Sequence, residues 1–257
     1  MAIYDKIGKV YDSTRCADPY IAGKLKTHLA IKPEKSYIDI ACGSGNYTSA
    51  LASEGGLWFG VDQSSEMIEK ARKKSDIVNW QIADITSLPF REDTFDGAVC
   101  TLAIHHFPEL SRAFREIRRV LKNGKFVIFT STPEQTGNYW LAEYFPEAIR
   151  LSAEQMPDLK TVKSALESAG FSRVETENYS VREDLEDFFL YSGKFRPEIY
   201  LDPQIRANIS TFTLLANETE IRSGCEKLAS EIKSGRIKDI ILRHRESDDY
   251  LFVVASV

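Results

Sequence analysis

Three carboxylates fall at or beside the ends of three successive apolar stretches: Asp39, Asp62 and Asp84. The first belongs to Ser36-Tyr-Ile-Asp-Ile-Ala-Cys-Gly-Ser-Gly-Asn46, in which a short apolar run gives way to Gly43 and Gly45. Glycines at such a turn let the backbone come close to a ligand, and a helix starting there points free N–H groups at an anionic group. Asp62 follows Leu57-Trp-Phe-Gly-Val61, about twenty residues past the turn, a spacing that suits a carboxylate accepting hydrogen bonds from a ribose diol. A fourth apolar stretch, Gly97-Ala-Val-Cys-Thr101, leads to the pair His105-His106, side chains able to move a proton near neutral pH.

These residues need elements to hold them. Ile38 and Ile40 predict a buried strand, and Tyr47, Ala50 and Leu51 a helix directly after the glycine turn. Ser64 suits an N-cap, with Glu66 in the first turn and Met67, Ile68 and Ala71 facing inward. Val78-Asn-Trp-Gln-Ile82 alternates like a strand. Leu110, Ala113, Phe114, Ile117 and Leu121 keep helical spacing, and Gly124 stands where a helix would stop. Phe126-Val-Ile-Phe129 reads as a fifth strand. Ile21, Leu25 and Leu29 predict a helix between Asp18-Pro19 and Pro33.

The 257 residues suffice for one large α/β domain, or a domain carrying an insert. The net charge of -5 and the 43% hydrophobic content are those of a globular protein without a nucleic-acid footprint. There is no apolar run of membrane-spanning length and no signal-peptide pattern at the N-terminus, so a cytoplasmic protein with no membrane partner is expected. Cys16, Cys42, Cys100 and Cys225 are scattered, which predicts reduced thiols rather than a disulfide frame or a metal site.

The dinucleotide fingerprint G-x-G-x-x-G fails, because Thr48 stands where a third glycine would be needed after Gly43 and Gly45. Asp39-Ile-Ala-Cys-Gly-Ser-Gly45 instead resembles motif I of the class I S-adenosylmethionine (SAM) dependent methyltransferases, Asp/Glu-x-Gly-x-Gly-x-Gly, with Ala41 at the first glycine. Further stretches follow in that family's order: Asp62, the Ala83-Asp-Ile85 step, Leu88-Pro-Phe … Phe95-Asp96, and the helix ending before Gly124. The likeness is strong over residues 36–135 and weaker before them. It implies a Rossmann-like sheet of seven strands, mostly parallel with the last antiparallel. Residues 159–178 would supply the penultimate helix and strand, and Tyr250–Ala255 the last strand.

The resemblance also implies the cofactor SAM and a set of contacts. Ala41, Cys42, Gly43 and Gly45 would form the turn around it, Asp62 and Gln63 would take the ribose, and Met67 would lie against the adenine. Asp84 would reach the adenine amino group, the Ile85 N–H a ring nitrogen, and Thr101 the end of the fourth strand. Tyr11 and Arg15 belong to an opening segment that folds over the cofactor, with Arg15 a partner for its carboxylate. His105 and His106 are the candidate bases, for which a near-neutral pKa would suit, needed only if the acceptor must lose a proton.

The likeness is to the ubiquinone/menaquinone-biosynthesis and trans-aconitate methyltransferases, hence to transfer onto a small-molecule acceptor. A nucleic-acid methyltransferase is the second reading, although Thr101-Leu-Ala-Ile-His105 lacks the Asn/Asp-Pro-Pro-Tyr/Phe of base amino methylation. A non-catalytic SAM-binding protein is the third, and a nicotinamide reductase is disfavoured by the missing glycine. Residues 1–257 are expected as one methyltransferase domain, a monomer or homodimer. Residues 180–247 form a mainly helical insert before the last strand, with 237–243 open between strand and helix. Rich in aromatics, this insert is expected to close the acceptor side together with Tyr139 and Trp140, or else to form a dimer interface.

Overall fold

In the computed structural model, which describes residues 14–244 and 248–257, the expected sheet is complete. Its strands are β1 (Ser36–Ile40), β2 (Leu57–Asp62), β3 (Val78–Ile82), β4 (Phe95–Thr101), β5 (Leu121–Thr130), β6 (Arg173–Tyr179) and β7 (Tyr250–Ser256). They lie in the order β3-β2-β1-β4-β5-β7-β6. β1 pairs in parallel with both β2 and β4, whereas β7 runs antiparallel to β5 and β6. Strand order therefore reverses between β1 and β4, and a crevice opens beyond the C-terminal ends of the strands at such a switch point.

Side chains alternate across the strands and supply two cores. On one face Ile38, Ile40, Ala98, Cys100, Phe126 and Ile128 pack against α4 (Leu110–Val120) and α7 (Leu159–Ser168). On the other, Tyr37, Val99, Val127, Phe129 and Phe252 meet α1 (Pro19–Leu29), α2 (Asn46–Ala52) and the insert. Burial on both faces explains why the central strands read as unbroken apolar runs. Asp18 caps α1 by accepting from the Ile21 N–H, and Ser64 caps α3 (Ser65–Lys74) by accepting from Met67.

Two boundaries differ from expectation. α4 ends at Val120, and Leu121 opens β5 directly, in extended backbone. Gly124 is thus a strand residue rather than a helix stop. A Cβ there would fall 1.9 Å from the Asp96 carbonyl oxygen, beside the register shift between Phe95 and Gly97. Close strand approach, not a left-handed cap, is what requires glycine at this position.

After β5 come α5 (Pro133–Gly137) and α6 (Pro146–Gln155), to which sequence periodicity gave no elements. The insert is mainly helical as expected, with α8 (Pro203–Arg206), a π turn at Thr211–Leu215, α9 (Glu218–Ser234) and α10 (Ile237–Arg243), so residues 237–243 resolve as helix. Tyr139 stacks on Tyr191 with ring centroids 3.8 Å apart, and its hydroxyl shares a 2.7 Å hydrogen bond with that of Tyr200. Among the described residues no helix is long and apolar enough to cross a membrane.

Candidate functional site

A crevice of about 500 Å³ lies at the C-terminal ends of β1, β2 and β4, a volume in the usual range for small-molecule and cofactor sites. Of the residues expected around the ligand, Arg15, Ala41, Cys42, Gly43, Asp62, Gln63, Met67, Asp84, Ile85, Thr101 and His106 all line it. Tyr11 lies outside the described residues. Gly45 is not among the lining residues, and His105 lines a second cavity.

The turn after β1 is built from three left-handed residues: Ala41 (φ 55°), Gly43 (φ 54°) and Gly45 (φ 76°). Ala41 takes the conformation of the glycine it replaces, within the small left-handed region that a Cβ tolerates. Gly43 has open space where a side chain would stand, so a ligand can approach its backbone there. Gly45 is different. A Cβ on it would lie 2.3 Å from the Trp80 ring, and one on Gly60 would also lie 2.3 Å from that ring. Trp80, from edge strand β3, thus lies over both glycines, and Gly45 serves packing rather than the crevice wall.

Asp62 ends β2 with its carboxylate buried, Oδ2 accepting from the Gly43 N–H and Oδ1 from the Ser64 N–H, each at 2.9 Å. An ionised carboxylate accepts only, through two oxygens, so Asp62 presents acceptors and no donor at the crevice. Asp84 accepts at Oδ1 from the N–H and hydroxyl of Thr86, which holds its pKa below the ordinary carboxylate value and keeps it charged. Asp39 is buried and takes the Thr48 hydroxyl at 2.6 Å on Oδ2, while Oδ1 has no hydrogen-bond partner. Burial pushes its pKa up to about 7. Thr101 Oγ1 is likewise buried without a partner. Cys42 is a packed thiol whose pKa burial raises well above normal, which removes it from nucleophilic chemistry.

Arg15 does not wait for a ligand carboxylate. Its Nε donates to Asp187 Oδ1 at 2.5 Å and its Nη2 to Oδ2 at 3.2 Å, and Tyr47 donates to the same carboxylate at 3.1 Å. Asp187 comes from the insert, is 1% exposed and lines the crevice. Nothing in its local sequence marks it. Nor does any signal mark Leu102, which follows β4 at φ 54°, its N–H held by the Phe129 carbonyl at 2.8 Å.

The two histidines part company. Their rings lie 4.0 Å apart, yet His106 lines the crevice and His105 lines a second cavity of about 70 Å³. Burial lowers the pKa of His105 to about 3, helped by the neighbouring His106, and that of His106 to about 4. The near-neutral value that would suit a general base is therefore not found, and both imidazoles are uncharged at neutral pH. The second cavity adjoins the crevice through Arg15 and Leu102, which line both. Tyr139 and Trp140 line neither; they are buried in the aromatic cluster behind.

An α/β sheet reversed only at β7, with a glycine turn and strand-end carboxylates around one crevice, is the architecture of a SAM-binding transferase. The crevice fits that cofactor in its own features: an open Gly43 backbone, the Asp62 carboxylate at its wall, and an orphan acid oxygen on Asp39 for a cationic group. The methyltransferase-domain family matches residues 38–129. The chain is similar to a demethylmenaquinone methyltransferase of Clavibacter sepedonicus, 28% identical over 69% of this chain and 84% of that one. It is also similar to a 2-phytyl-1,4-naphtoquinone methyltransferase of Trichormus variabilis, 30% identical over 49% of this chain and 62% of that one. Among solved structures, a protein of Anabaena variabilis described as a methyltransferase and attributed to an antibiotic biosynthesis pathway superposes with a TM-score of 0.86. It is 30% identical, over 96% of this chain and all of that one. The chain belongs to the class I SAM-dependent methyltransferases. It is an enzyme that uses SAM to methylate a small molecule.

Proposed function

We propose that Gly43, Asp62, Asp84 and Asp39 hold SAM in the crevice and that the small-molecule acceptor meets it from the side of the insert. The observation that carries this reading is the convergence of the three strand-end carboxylates and the open Gly43 backbone on one cavity. Bound SAM supplies a methyl group already activated on a sulfonium. The residues of the chain have the tasks of holding, aligning and keeping water out. Asp62 accepts from a ribose diol, Asp84 accepts from the adenine amine, and Met67 and Ile85 flank the base. Asp39 offers Oδ1 to the ammonium of the amino-acid end. Burial holds His106 at about 4 and His105 at about 3, so both are weak bases and serve as hydrogen-bond partners.

Residues 1–257 act as one catalytic domain, with 180–247 as its cap. Asp187, from the insert, at the crevice wall supports that assignment. The acidic balance of the chain argues against a nucleic-acid substrate, and the four free thiols suit a reducing, cytoplasmic setting for a monomer or homodimer. A quinol-type aromatic acceptor is the second reading, favoured by the names of the two curated relatives. The test is a methyl-transfer screen with radiolabelled SAM over phenols, quinols, small acids and amines, run beside calorimetry of SAM binding. Transfer to one of these classes is expected, with binding abolished or weakened by Asp62→Ala. SAM binding without transfer to any class would overturn the catalytic reading.

A further inference from the structure

Beyond the cofactor crevice, the second cavity has a composition of its own. Its floor is the end of β4 and β5, with His105, Thr130 and Ser131, and its side is α6, with Ser152. Its outer wall is the stretch 209–215, where a π turn places Ile209, Thr211, Leu214 and Leu215 against the space. Among the described residues lining the cavity, Arg15 alone carries a full charge at neutral pH, and that charge is matched by Asp187. The hydroxyls are largely satisfied among themselves: Ser152 with Thr211 at 3.1 Å and Ser131 with Thr136 at 3.0 Å. Among the fully buried side-chain polar atoms of the described lining residues, one has no hydrogen-bond partner, His105 Nδ1.

A buried, unpartnered ring nitrogen costs free energy until something bonds to it. His105 lines a space of mixed polar and apolar walls that, among the described residues, joins the cofactor crevice across Arg15 and Leu102. Leu102 itself holds a left-handed backbone, conformational strain of the sort that accumulates at working sites.

We propose that this second cavity is the acceptor chamber, and that it takes a compact, uncharged molecule with a polar group that bonds to His105 Nδ1. The inference rests on the methyltransferase reading and adds the acceptor's place and chemistry to it. Size sets the upper bound. The cavity of about 70 Å³ is roughly half of the ~150 Å³ that encloses a benzene ring in a protein core. Admission of a single ring therefore requires the wall to yield, and Leu214, 41% exposed, is the lining side chain with solvent to move into. A long isoprenoid or phytyl tail has no room, and polycarboxylates and phosphate esters meet no unmatched cation.

The test uses the full chain saturated with S-adenosylhomocysteine, with methyl-labelled Ile and Leu followed by NMR and phenol as the probe. Phenol is expected to shift the methyl signals of Ile209, Leu214 and Leu215, and citrate and phosphoethanolamine to leave them in place. His105→Leu is expected to weaken phenol binding at least tenfold with S-adenosylhomocysteine affinity unchanged, and His105→Asn, which keeps a polar atom near the Nδ1 position, to retain it within about threefold. Absence of those shifts with millimolar phenol, stronger binding of citrate or phosphoethanolamine, or equal phenol affinity in His105→Leu would each overturn the proposal. Should His105→Leu fail to fold, the methyl shifts in the unaltered chain decide the matter alone. Failure to bind S-adenosylhomocysteine at all would instead count against the reading of the crevice.

Discussion

Asp62 Oδ2 accepts a 2.9 Å hydrogen bond from the Gly43 N–H, so the carboxylate that ends β2 also fastens the turn that follows β1. The Ser64 N–H on Oδ1 does the same for the start of α3. One side chain therefore shapes the crevice and offers acceptors within it. Asp62→Ala removes both functions. SAM binding is expected to weaken by about 1.5–3 kcal/mol per lost charge-assisted hydrogen bond, with a lowered melting temperature in the absence of ligand. Calorimetry together with thermal melting checks this; unchanged affinity in a folded variant would refute the assignment.

Ala41 bears a Cβ at φ 55°, where the motif it resembles has glycine. Ala41→Gly relieves left-handed strain and gives back some unfolded-state entropy. A net gain of about 0.5–1 kcal/mol is expected in urea denaturation. A loss of stability would mean that the turn is not strained at this residue.

Gly45→Ala is expected to be far worse than its place at the edge of the crevice suggests. The new methyl would stand 2.3 Å from the Trp80 ring at φ 76°. Overpacking of this kind costs about 1–3 kcal/mol. Trp80→Leu in the same chain should restore part of it, so the two changes should be non-additive in a double-mutant cycle.

The Asp39 carboxyl, held at about 7 by burial, makes cofactor binding depend on pH. A carboxyl raised in the native state holds its proton more tightly folded than unfolded. Its contribution to stability is complete below 3.8 and is lost as pH rises through about 7. A cation against Oδ1 favours the ionised form, so binding releases the proton. SAM affinity should therefore rise with pH, by up to about tenfold per unit, and level off above about 7. Asp39→Asn should flatten that dependence; an identical slope in the variant would exclude Asp39 as its source.

Asp187→Ala leaves the Arg15 guanidinium, whose side chain is 13% exposed, without its counter-charge. Breaking a buried ion pair from one side costs about 3–5 kcal/mol. The expected result is a large drop in unfolding free energy, smaller in the Arg15→Met/Asp187→Leu double variant. Equal losses in both would indicate that packing rather than charge sets the effect.

The sequence by itself determined the elements and the crevice carboxylates. Period-2 and period-3.6 patterns are local, so β1 to β4 and the helices between them were legible within a few residues. Asp62 and Asp84 end up in the crevice because each follows a parallel strand whose direction is fixed by the crossovers. Gly124 reads locally as a helix stop, and strand contact with Asp96 overrides that reading; residues 237–243 were open between strand and helix, and they form a helix. Tertiary structure alone decided what each group does next. Gly45 is needed because Trp80 arrives from β3, and Arg15 is engaged because Asp187 lies 172 residues away in sequence and beside it in space. Tyr139 and Trp140 were candidate walls on composition, and core packing claimed them. His105 and His106 are neighbours in the chain, yet a short 3₁₀ turn at Ile104–His106 sends them to different cavities. Burial then strips both of the pKa that their residue type implies. The desolvation that does so depends on everything packed around a side chain, and no stretch of sequence contains that information.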